Sequence, residues 1–178
     1  MRPRILLTHA FAFLIVLGGS GLLTPIARAQ SLCDLLPASL VKSTLGLTSD
    51  LTATPNTQGG NGCDYKSPGV GPLTVSADCG NESEMTKMMF NAEAKALGRG
   101  GQRLAGMGDD AFYDEKRNQQ MPKYPGKRFT QQSVVIRAKG KVISLIVMTP
   151  EDGIAKAAVI SLGTVTLSKP IGTLKDPS

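Results

Sequence analysis

The chain has 178 residues, with 20 Lys and Arg against 14 Asp and Glu, a formal net charge of +6. No dense Lys/Arg block accompanies that charge, so nucleic-acid binding gains little support. The single histidine, His9, lies in an N-terminal segment that looks removable, and a chain without it cannot build a Ser-His-Asp or Cys-His site, a His-ligated zinc or a His-held haem.

That segment comes first in the chain. Arg2 and Arg4 precede a mostly apolar run over 5–17, glycines break the run, and Ala27-Arg28-Ala29 supplies the small-x-small pattern of a signal peptidase site. Residues 1–29 therefore read as a secretory signal peptide. The apolar run is shorter than the roughly 20 residues that span a bilayer, so no stable membrane anchor is expected after cleavage. Leu32 before Cys33 argues against a lipoprotein signal, which wants a small residue there. The mature chain, 30–178, loses three arginines and carries 17 Lys and Arg against 14 Asp and Glu, a net charge of +3. Its length suits a single domain over 30–168, and the expected location is periplasmic or extracellular.

Export permits disulfides among Cys33, Cys63 and Cys79. Cys33 with Cys63 would tie the mature N-terminus to a strand and is the favoured pairing. Cys63 with Cys79, across a hairpin, is the rival. Cys79 alternates with Leu73, Val75 and Ala77, which directs it into the core.

Residues 37–45 read as a short helix, with Pro37 in its first turn and Gly46 as its stop. Residues 47–54 look extended, and 55–62 form a loop with little to bury. Strands follow at 63–67 and 73–79, the second showing the clearest alternation, with a Pro/Gly turn over 68–72 between them. Asn81 and Glu84 suit a capping box for a second helix ending at Gly98. Its face of Met85, Met88, Met89, Ala92 and Ala96 reads as core, with an adaptable apolar ligand site as the alternative. After a glycine joint over 98–101, a strand forms around Ala111-Phe112-Tyr113. The polar stretch 114–128 looks like a long mobile hairpin connection. Strands at 129–137 and 142–148 flank a tight turn at Ala138-Lys139-Gly140-Lys141. Thr149 and Pro150 look like the start of a last helix, with Ile154, Ala157, Ala158, Leu162 and Val165 facing the core. Residues 169–178 read as a polar tail. The expected fold is α+β: an antiparallel sheet packed by helices, in the order αβββαβββα.

In CDLLPASLVKSTLGL, GCDY, LAGMGDDAFYD, the VVIRAKGKVISLIV hairpin and the final Ala-rich helix, the chain resembles a family of small secreted or lipoprotein bacterial domains of unknown function. The pattern is a Cys-x-Leu-Leu start, a Gly-Cys-x-aromatic strand and a Gly-x-Gly-Asp-x-Ala stretch. It is similar to extracellular domains of some actinobacterial lipoproteins and sensor kinases. The resemblance implies an antiparallel α+β sandwich of PsbP-like kind and a Cys33–Cys63 bridge. It implies no activity, and Leu32 departs from the lipoprotein members.

The candidate chemistry sits in RLAGMGDDAFYDEK, residues 103–116. Asp109, Ala111 and Tyr113 break the alternation that a calcium loop requires, and Ala111 replaces the third glycine of a dinucleotide fingerprint. On a strand, Asp110 and Phe112 point one way and Asp109 and Ala111 the other, so the adjacent carboxylates diverge. Asn81-Glu82-Ser83 fits a glycosylation sequon, relevant only in a eukaryotic secretory route. No cofactor or metal is implied. The leading expectation is an exported, non-enzymatic binding or accessory domain for an unknown protein or small-molecule ligand, with Asp109, Asp110 and Tyr113 as possible ligand or cation contacts. The alternatives are a carrier of a small apolar ligand on the Met face and a carboxylate-dependent enzyme using Asp109 and Asp110.

Overall fold

The computed structural model describes residues 31–56, 61–68, 73–83, 87, 88, 90, 91, 101–122, 124–150 and 153–174. The described residues open with two short helices, α1 (Leu32–Leu35) and α2 (Ala38–Leu45), separated by Leu36 and Pro37. The Ser31 backbone N–H donates to Asp34 Oδ2 at 2.9 Å, which satisfies one of the donors left open at a helix start. Gly46 ends α2 in the left-handed conformation, as its position in the sequence suggests. Three strands follow: β1 (Thr52–Asn56), β2 (Asn61–Lys66) and β3 (Thr74–Asn81). After them come β4 (Gln102–Arg103), β5 (Asp110–Gln120), β6 (Arg128–Ala138), β7 (Lys141–Pro150), helix α3 (Lys156–Leu167) and a 3-10 turn at Ile171–Thr173.

The seven strands of the described residues join one antiparallel sheet in the order β1-β2-β3-β7-β6-β5-β4. The expected α+β order αβββαβββα is thereby corrected. A strand-rich sheet dominates the described residues, two helices precede it where one was expected, and four strands follow the first three. The expected helix over 81–98 lies mostly outside the described residues, of which Lys87, Met88, Phe90 and Asn91 are helical.

The boundaries that moved did so for tertiary reasons. The stretch expected as a mobile connection is largely strand. β5 runs to Gln120 because its backbone pairs with β6 from Asp110–Arg137 to Gln120–Arg128, around an irregularity between Lys116 and Gln119. Thr149 and Pro150 do not start a helix, since they remain paired with Thr130 and Phe129 on β6. The residues expected as a polar tail from 169 include Ile171 and Leu174, both buried in the core.

Alternation gives the sheet two different faces. On the first, Cys63 and Tyr65 of β2, Val75, Ala77 and Cys79 of β3, Ile143, Leu145 and Val147 of β7 and Val134 and Ile136 of β6 form one core with Leu32, Leu36, Val41, Val159 and Leu162 of the helical segments. Cys33 is bonded to Cys63, with their Cα atoms 5.1 Å apart, which ties α1 to β2. Beside that bridge the buried Tyr65 hydroxyl donates to the Leu36 carbonyl at 2.6 Å. Cys79 stays a free, buried thiol. Among the described residues, no helix is long and apolar enough to cross a membrane.

Candidate functional site

The stretch 103–116 folds as an edge, not as a carboxylate centre. β4 pairs with β5 only at Gln102–Tyr113 and Arg103–Phe112, and a turn over 104–109 links the two strands. Asp109 is exposed, and its backbone N–H donates to the Arg137 carbonyl at 2.8 Å. Asp110 lies on the second sheet face. Arg103 grips it with a two-pronged contact, in which Nε reaches Oδ1 at 2.9 Å and Nη2 reaches Oδ2. That bond, against some opposing burial, holds the Asp110 carboxyl below its ordinary range. The two carboxylates therefore have separate surroundings, and one is already neutralised.

Tyr113, expected as a contact beside them, points instead into the first face and is 1% exposed. Its hydroxyl donates to Glu115 Oε2 at 2.6 Å and accepts from Gln132 Nε2 at 2.9 Å. Burial and the bond to the Glu115 carboxylate raise its pKa to about 12. Glu115 is held low by the Tyr113 hydroxyl and by Arg117 Nε at 2.5 Å. Lys156 of α3 lies 4.6 Å from the Tyr113 ring centre, in cation–π range. The Tyr113 hydroxyl thus both donates and accepts within the chain, which anchors β5 to β6. Of the Met stripe, Met85 and Met89 lie outside the described residues, and Met88 is 65% exposed.

The structure gathers a different pair of carboxylates. The β2–β3 register sets Asp64 opposite Ser76 and Asp78 opposite Gly62, so the two aspartates are diagonal neighbours on the second face. Asp64 Oδ1 accepts from Ser76 Oγ at 2.8 Å and from Asn56 Nδ2 at 3.4 Å. Asp78 lies over the Gly62 backbone, in the space a side chain there would fill; a Cβ on Gly62 would also come within 2.7 Å of the Asn56 carbonyl. Burial raises the Asp78 carboxyl above its ordinary range, and the Asp64 charge adds to the rise. Among the described residues neither aspartate forms an ion pair. Asp110, Asp114 and Glu82, by contrast, meet Arg103, Lys116 and Arg137 respectively.

The pair opens onto a row running across the sheet: Asp64, Ser76, Ile146, Ser133 and Asp114, all half-buried. Aromatic contacts bound this row on both sides. Toward one end of the strands Phe90 packs on Phe112 with ring centres 5.1 Å apart and lies under Arg137. Toward the other, Tyr124 meets Phe129 edge-on at 5.8 Å. Sequence reasoning passed over Asp64 and Asp78. The usable signal was their placement at the polar positions of GCDYK and LTVSADC, but pairing them requires the hairpin register.

No family model matches the chain, and no curated protein does either. A solved structure from Bacteroides thetaiotaomicron VPI-5482 is similar with a TM-score of 0.44 and 13% identity over 62% of this chain. The chain spans 40% of the length of that one.

Proposed function

We propose that this chain is an exported, non-enzymatic binding or accessory domain and that the Asp64–Asp78 face of its sheet meets the ligand or partner. One observation carries the proposal. Two strands bring together carboxylates that form no ion pair among the described residues, on a half-buried face of serines and aliphatic side chains, where burying charge costs stability unless something offsets it. The disulfide is compatible with the oxidising compartment that export supplies. The enzymatic alternative would use Asp109 and Asp110, of which Asp110 already pairs with Arg103. The apolar-carrier alternative gains no support from the exposed Met88.

A photo-crosslinking residue placed at Ser133, on this face, or at the exposed Ser161 of α3 tests the proposal in the mature protein. Crosslinks from position 133 that disappear in the Asp64→Asn/Asp78→Asn variant are the expected result. Crosslinks confined to position 161, or robust hydrolase activity abolished by Asp110→Asn, would overturn it.

A further inference from the structure

We draw no further inference here: the strongest candidate, the open groove of about 400 Å³ beside α2 lined by Ser39, Lys42, Ser43, Gly46, Leu47 and Asp50, has its lysine already paired with its aspartate, and nothing in the structure shows what would occupy it.

Discussion

At the scale of single residues, Gln132 carries the heaviest polar duty in the interior. It is 1% exposed, and both ends of its amide are used. Nε2 donates to the Tyr113 hydroxyl at 2.9 Å and to the Ile154 carbonyl at 2.8 Å, while Oε1 accepts from the Ile154 N–H at 2.9 Å. One side chain thus pins β5 and the β7–α3 connection to β6. Gln132→Ala should cost about 2–4 kcal/mol, since it strands buried partners and removes packing. Tyr113→Phe should cost about 1 kcal/mol. Urea denaturation of both variants checks that order. Asp78 supplies a second residue-scale prediction. Its raised pKa means that the folded state holds the proton more tightly than the unfolded chain. Its penalty is therefore absent below the unfolded value, roughly pH 4, and sets in as pH rises through the folded value. Asp110 and Glu115 have lowered values, so the stability they supply is present above their ordinary range and is lost as pH falls through their folded values. Asp78→Asn should stabilise the protein at pH 7 by about 0.5 kcal/mol, a small figure because the group is only half-buried. The variant should also lose stability more steeply on acidification than the wild type. Urea melts between roughly pH 3 and pH 7 measure both effects, and a variant less stable at pH 7 would show that the carboxylate stabilises the fold.

At the scale of elements, the turn before β5 shows why the glycines of LAGMGDD are needed. Gly108 has φ +66°, and a Cβ there would sit 2.5 Å from the Arg137 carbonyl oxygen and 3.0 Å from side-chain carbons of Ala138 and Ile136. Gly106 has φ +74° but open space around it. Gly106→Ala should therefore cost about 1 kcal/mol for conformation alone, and Gly108→Ala about 2–4 kcal/mol for conformation and displaced backbone together. Thermal unfolding of the two variants gives the comparison, and equal losses would mean that the turn shifts freely away from β6. The same element shows which parts of the fold are legible in sequence. β3 alternates apolar and polar residues because one face of it is core, so period-two patterning finds it, whereas β6 and β7 are legible as β-branched runs on either side of the Ala138-Lys139-Gly140-Lys141 turn. The second half of β5, Lys116 to Gln120, is polar on both faces and is a strand through backbone pairing alone, which leaves no pattern to find. Thr149-Pro150 carries a sound helix-start signal, but pairing across β6 overrides it. The Asp64–Asp78 pair was hidden for a third reason: it exists only in one strand register, and a shift of one residue would send the two carboxylates to different faces.

At the scale of the whole molecule, a single covalent link joins α1 to the sheet. The Cys33–Cys63 bridge closes a separation of 30 residues, worth about 3–4 kcal/mol on the chain-entropy account. The link is backed by non-covalent contacts: Leu32 and Leu36 are fully buried, and the Tyr65 hydroxyl holds the Leu36 carbonyl. Breaking the bridge should thus weaken the domain without detaching α1. Cys79 lies diagonal to Cys63 on the same face, because Cys63 is opposite Ala77 and Asn61 is opposite Cys79. Exchange between this thiol and the bridge would need a thiolate at Cys79. Burial suppresses it: the residue is 2% exposed, and its pKa is raised to about 11. Cys33→Ser/Cys63→Ser should lower stability by about 3 kcal/mol in urea while keeping the same strand content by circular dichroism. In the unmodified protein, a thiol reagent should label Cys79 only as fast as the domain opens, and peptide mapping after labelling in denaturant should return Cys33 linked to Cys63 with Cys79 modified. Rapid labelling of the native protein, or recovery of a Cys63–Cys79 peptide, would show that the core around β3 opens far more easily than its packing implies, and that the bridge is exchangeable.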